Sequence, residues 1–162
     1  RAINLRSFPI NYTLFVTSDN KELQNMGLSF EKLAKKYPEK AALLFSRILN
    51  FREHRYNIVG KHLLYMSFES FLHIYLRHVK ELAVDNQFGE RSKFQLAEKD
   101  LKATMDLVLG ALNDEYQAYK DEHPNNRFFR KGTMAYYYNG DYYDIDILPD
   151  GQIGSFYKRI DE

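Results

Sequence analysis

Between Lys61 and His78 the chain carries five side chains of the kinds that cleave a phosphodiester without a metal: Lys61, His62, His73, Arg77 and His78. Such cleavage needs one group to take a proton from a 2′-hydroxyl and another to protonate the leaving oxygen. It also needs cations for the charge that develops. Imidazole suits the first two tasks because it titrates near neutral pH. Guanidinium suits the third because its planar fork holds two phosphate oxygens at once. His62, His73, His78 and Arg77 are therefore the candidate catalytic residues, with Lys61 as a substrate-binding cation. The same types on a helix are also what an ordinary solvated face carries, so the spacing has to be read with the elements that hold it.

The element that holds most of them is Ser67–Ala83, SFESFLHIYLRHVKELA. At about 100° per residue, Phe68, Phe71, Leu72, Tyr75, Leu76, Val79 and Leu82 fall on one face of a predicted helix. Ser67 stands where an N-cap belongs, and Glu69 falls in the first turn. His73 and Arg77 are i,i+4 neighbours and point the same way, with Lys80 extending a cationic ridge. His78 lies at the opposite border of the apolar stripe, half-buried. His73 and His78 are about 140° apart around such a helix, too far to hold one ion. Asp144 and Asp146 share a predicted strand face, where solvation explains them better than a metal does. HExxH, paired CxxC, EF-hand, GxGxxG, GxxxxGK[ST] and GxSxG patterns are all missing, so no metal and no cofactor is expected.

Composition narrows the class. The chain has 162 residues and a formal net charge of +1, which fits one domain with a real core. Near-neutrality argues against affinity drawn from bulk attraction to nucleic acid. There is no cysteine, so neither disulfides nor thiolate chemistry enters. No apolar run approaches ~18 residues, and no membrane partner is expected. The compartment stays open, with the cytoplasm favoured over export. The opening Arg1-Ala2-Ile3 lacks Met and a signal-peptide pattern, and reads as a domain excised from a longer chain or trimmed. Aromatics are the oddity, with 13 Tyr, 12 Phe and no Trp; Tyr suits half-wet sheet positions.

Taken in order, residues 8–17 alternate as a strand, and Ser29 caps a short helix that stops before Pro38. Pro38 opens a second helix with Ala41, Leu44, Phe45 and Ile48 on one face. Residues 51–56, FREHRY, turn polar and basic. A loop through Gly60-Lys61-His62 then leads into a short strand. Residues 84–91 read as a loop. Ser92 opens a long helix with a Ser92-x-x-Gln95 capping box, running to about Tyr119.

The tail from Thr133 to Ile160 reads as a three-stranded antiparallel meander. Asn139-Gly140 is the strongest short hairpin signal. It pairs Tyr136 with Tyr143 and Met134 with Ile145 on one face, and Tyr137 with Tyr142, Ala135 with Asp144 and Thr133 with Asp146 on the other. Pro149-Asp150-Gly151 makes the second turn. A G1 bulge there pairs Ile147 with Ile153 and Tyr143 with Tyr157; a two-residue turn instead sets Ser155 beside Asp146. One face receives the helices, and the other shows Tyr, Thr and Asp to water. The expected fold is a single α+β domain over residues 1–162, with helices packed on one face of a small antiparallel sheet. On the wet face, Tyr137 and Tyr142 could stack bases.

This order resembles the barnase–EndoU–colicin–RelE-like ribonuclease superfold, and most of all its phage- and mobile-element-borne members. The resemblance spans roughly residues 57–160. It is carried by Gly60-Lys61-His62 before the central helix, by LHIYLRHVKEL with its terminal His, and by the meander DYYDIDILPDGQIGSFYKR with its DG hairpin. It implies a metal-independent RNase toxin acting in conflict between mobile elements or cells. His62, His73 or His78 would serve as acid and base, and Arg77 would bind phosphate. Ser155 or Lys158 would contribute from the last strands, and an inhibitor protein would be a natural partner. The other reading is a non-catalytic domain of a larger protein, docking a protein or another ligand on its Tyr-rich sheet face.

Overall fold

The structure is a computed structural model and describes residues 30–56, 58–82 and 94–160. The strand expected over 8–17, the caps at Ser29 and Ser92 and the loop at 84–91 lie outside the described residues. The fold is α+β. Helices α1 (Phe30–Lys36) and α2 (Pro38–Asn50) lead to a two-stranded antiparallel ribbon, β1 (His54–Arg55) with β2 (Tyr65–Met66). Helices α3 (Phe68–His78) and α4 (Glu98–Glu122) follow. Strands β3 (Phe128–Arg130), β4 (Tyr136–Tyr138), β5 (Asp141–Ile147) and β6 (Ile153–Lys158) close the chain. Strand β5 is central, with β6 on one side and β3 and β4 end to end on the other. No helix among the described residues is long and apolar enough to cross a membrane.

Pro38 does begin α2, where its missing N–H costs no hydrogen bond, and Ala41, Leu44 and Ile48 are buried. Ser67 caps α3, its Oγ accepting from the Ser70 amide at 3.1 Å. The helix is shorter than its apolar period promised. It stops at His78, and Val79 turns extended to bridge Leu96 in parallel. Leu96 N–H donates to the His78 carbonyl, and Lys80 N–H to the Leu96 carbonyl. The ridge expected to continue through Lys80 therefore ends at Arg77. Helix α4 starts later than the Ser92 box implied: Phe94 to Ala97 are not helical, and the Glu81 carboxylate accepts from the Glu98 amide at 3.1 Å. A tertiary contact thus serves the start of the helix, where Ala97 makes no side-chain cap.

The Asn139-Gly140 turn is as expected, with positive φ at both residues. It pairs Tyr136 with Tyr143 and Tyr137 with Tyr142. Beyond that the expected register fails. Ile145 pairs with Arg130 and Asp146 with Phe129, not with Met134 and Thr133. Residues 131–135 bulge out opposite Asp144 alone, coiling into a short 3₁₀ turn, Gly132–Met134. The Asp144 carboxylate plugs the bulge by accepting from the Gly132 amide at 3.2 Å. At the second turn both expected registers occur in part: Ile147 meets Ile153, a bulge follows, and Asp146 then meets Ser155. Tyr143 consequently faces Lys158 rather than Tyr157. Gly151 has φ +97°, and a Cβ there would sit 2.2 Å from the Leu63 carbonyl oxygen, so only glycine fits.

The core lies between the helices and one face of this sheet. Phe128, Tyr143, Ile145, Ile147, Ile153 and Phe156 meet α3 and α4 residues such as Leu72, Leu76, Val108 and Leu112. The opposite face is less wet than its composition suggested. Tyr137 and Tyr142 are exposed, but Asp144 and Asp146 are buried. Arg159 bridges Asp144 at 3.2 Å, and Arg127 Nε stands 2.8 Å from Asp146.

Candidate functional site

Helix α4 fixes the Gly60-Lys61-His62 loop. Asn113 Nδ2 donates to the Val59 carbonyl at 2.7 Å, and Tyr116 Oη to the Leu63 carbonyl at 2.8 Å. Gln117 closes both sides of His62: its Oε1 accepts from the His62 amide at 2.9 Å, and its Nε2 donates to the His62 carbonyl at 2.7 Å. Gly60, at φ +138°, has no room for a Cβ, which would lie 2.3 Å from Gln117 Cδ. The loop is clamped for structural reasons. At its tip the His62 imidazole meets Asp121 at 2.8 Å, and Lys61 reaches the same carboxylate at 3.3 Å. Hydrogen bonds from His62 and Lys61 hold the Asp121 carboxyl below its usual range.

His78 sits elsewhere. It is buried, with Nδ1 2.8 Å from the Phe94 carbonyl and its ring stacked on Tyr157 at 5.8 Å. Desolvation drives its pKa down to about 4, and the nearby His73 and Arg77 push the same way. The ring is thus neutral at pH 7. His73 and Arg77 are both half-buried on α3. The two ends of the set do not converge. Leu63, next to His62, packs on Gly151, in the turn before β6, whereas His78 packs on Tyr157 near the far end of β6; most of that strand lies between those landmarks, roughly 15 Å. Of the expected sheet contributors, Ser155 is buried against Asp146. Lys158 lies 5.9 Å from the Phe94 ring. Tyr137 and Tyr142 meet edge-on at 5.2 Å on the open face.

A cleft of about 510 Å³ opens on another side, between the end of α2, the 51–56 segment, α3 and the first turns of α4. Its floor is apolar and aromatic, including Phe71, Tyr75, Leu101 and Met105. Amphipathic α3 and α4 turn these residues toward each other, while residues 51–56 hold the walls apart. One wall is a fork: Arg47 Nε and Nη2 grip the Glu98 carboxylate at 3.0 and 2.7 Å. Burial pushes the Glu98 carboxyl up, but hydrogen bonding and charge from Arg47 outweigh it, and the net is a lowered pKa. The Tyr75 hydroxyl joins the same carboxylate.

The other wall is the run FREHRY, which the sequence showed only as a basic patch. Phe51, Arg52, His54 and Tyr56 line the cleft, with alternation from Arg52 onward, while Glu53 and Arg55 are not part of the lining and pair with each other at 3.2 Å. The signal for this was the alternation itself, since every second residue of an extended chain shares a side. Among the described residues, no group of His, Cys, Asp or Glu side chains is arranged to hold a metal ion.

No protein-family model, no curated protein and no solved structure matches this chain.

Proposed function

We propose that this chain is a ligand-binding domain whose site is the cleft between α2, α3 and α4. The observation that carries it is the cleft's make-up: about 510 Å³, lined by aromatic and aliphatic side chains such as Phe71, Tyr75, Leu101 and Met105 and by a few polar groups, Arg52, His54 and the Arg47–Glu98 fork among them. Small-molecule sites have this size and this division of labour. The Arg47–Glu98 fork supports binding rather than proton transfer, because both groups are held in their charged forms. The test uses methionine methyl groups as reporters. Met66 and Met105 line the cleft, and Met134 is exposed on the far sheet. Screening a fragment library by ¹³C-methyl NMR should move Met66 and Met105 and leave Met134 still. Fragments that move Met134 alone, or a library that moves neither cleft methyl, overturn the proposal.

Metal-independent RNA cleavage is the second reading, and one observation favours it. His62 is oriented by Asp121 with Lys61 beside it, which is how a base and a phosphate-binding cation are paired. Labelled RNA incubated in EDTA with the parent and with His62→Ala tests it. Cleavage by the parent and loss in the variant support this reading; no cleavage by the parent ends it.

A further inference from the structure

Resting on the cleft as the binding site, we infer that its ligand is an elongated aromatic molecule with an anionic group at one end and a hydrogen-bond acceptor at the other. The argument begins with the wall. Arg52, His54 and Tyr56 all face the cleft. Alternate residues of an extended chain advance about 6.6 Å, so Arg52 and Tyr56 are about 13 Å apart along it. That is the scale of a two-ring aromatic with a substituent at each end.

The three residues form a graded row. At the mouth, Arg52 is exposed and has no ion-pair partner among the described residues. It differs in this from the other cations of the cleft: Arg47 is forked onto Glu98, and Lys102 Nζ lies 3.6 Å from the same carboxylate. Two cations thus share Glu98, Asp106 is the other acid of the lining, and Arg52 is the cleft cation with no carboxylate of its own among the described residues. A planar guanidinium with an open fork recognises carboxylate, sulfonate or phosphate. In the middle, His54 stands 4.0 Å from Asp106 and packs edge-on against Tyr56 at 4.6 Å.

At the inner end Tyr56 is 9 % exposed, and among the described residues its hydroxyl meets only the Met105 sulfur, at 4.0 Å. A thioether is a weak acceptor, and buried tyrosine hydroxyls ordinarily find an oxygen or nitrogen. The Tyr56 hydroxyl is therefore a donor awaiting an acceptor inside the cleft. Between the two ends the floor is lined by the rings of Phe71 and Tyr75, 4.5 Å apart and tilted by 45°. Such a floor suits a ring system rather than a flexible chain.

The experiment uses 6-methoxy-2-naphthoate and its cationic counterpart, (6-methoxy-2-naphthyl)methylamine, titrated against the methyl signals of Met66 and Met105. The naphthoate should bind at least about tenfold tighter than the amine. Arg52→Gln should erase that preference, and Arg55→Gln, on the opposite side of the strand, should keep it. Tyr56→Phe should weaken 6-methoxy-2-naphthoate and leave 2-naphthoate unchanged. Equal affinity for the acid and the amine, or equal losses in Arg52→Gln and Arg55→Gln, overturns the ligand class while the cleft stands. If no probe moves Met66 or Met105, the cleft reading falls with it.

Discussion

Arg47 and Glu98 lie far apart in sequence yet meet in a two-pronged bridge, with Nη2 2.7 Å and Nε 3.0 Å from the carboxylate. This one pair ties the end of α2 to the start of α4 and sets the width of the cleft between them. Arg47→Met should cost roughly 1–2 kcal/mol, below the value for a fully buried pair because the Arg is partly exposed. Arg47→Lys should recover only part of that, since an ammonium cannot make the fork. Urea unfolding of both variants, and of Glu98→Gln alone and combined with Arg47→Met, measures the coupling. Additive losses would show that the two groups do not act as a pair.

Gly60→Ala should destabilise the fold by about 1–3 kcal/mol, because the position combines a positive φ with a collision. The added methyl would meet Gln117 Cδ at 2.3 Å. Gln117→Ala in the same chain should relieve the collision but not the backbone strain, so the double variant should gain back only part of the loss. Thermal unfolding of the three variants checks this. A Gly60→Ala protein as stable as the parent would contradict the clamped loop.

The His78 ring makes stability depend on acid. Its pKa is about 4 in the fold, against 6.5 ordinarily. Above the unfolded pKa both states are neutral and the full stability is present. As pH falls through the window from 6.5 to 4, the unfolded chain takes up a proton that the folded ring refuses. The fold then loses roughly 3 kcal/mol from this group, and the loss levels off below the folded pKa. His78→Asn keeps a donor for the Phe94 carbonyl without a titrating ring. The parent-minus-variant stability should therefore slope across that window and be flat above it. A difference that does not change with pH would refute the assignment.

Ser155 presents the opposite case. Its hydroxyl is buried with no hydrogen-bond partner among the described residues, so Ser155→Ala should be neutral or stabilising by up to about 1 kcal/mol. A clear loss of stability would mean that the hydroxyl is engaged after all. The same variant bears on the ribonuclease reading, which gave Ser155 a role in the last strands. RNA cleavage unchanged in Ser155→Ala would remove it from any catalytic set.

What could be read from residues alone was whatever is fixed by near neighbours. The 3.6-residue period of α3, the Ser67 cap, Pro38 at the start of α2 and the Asn139-Gly140 turn all depend on positions within one or two turns of each other. What could not be read depends on distant partners. Helix α3 ends early because Val79 finds Leu96, and α4 begins late because Glu81 reaches Glu98. The hairpin register slips because Asp144 can satisfy the Gly132 amide inside a bulge. The site suffered most from this. Three histidines were legible as chemistry, but their placement was not: His62 is held by Gln117 and Asp121 of α4, whereas His78 packs on Tyr157 of β6. Conversely, the Arg52–His54–Tyr56 row was present in the letters as an alternation, and became a wall only when α3 and α4 supplied a floor.

The excursion of residues 131–135 also bears on how the molecule behaves among copies of itself. Among the described residues, β3 and β4 form the rim of the sheet beside β5. A continuous rim strand there would offer a ruler of free amides and carbonyls on which a stray polypeptide could zip. The kink cuts that ruler into two three-residue stubs, too short to template a lasting ladder. Deleting the excursion to straighten the rim would trade a local irregularity for a surface prone to fibrillar growth.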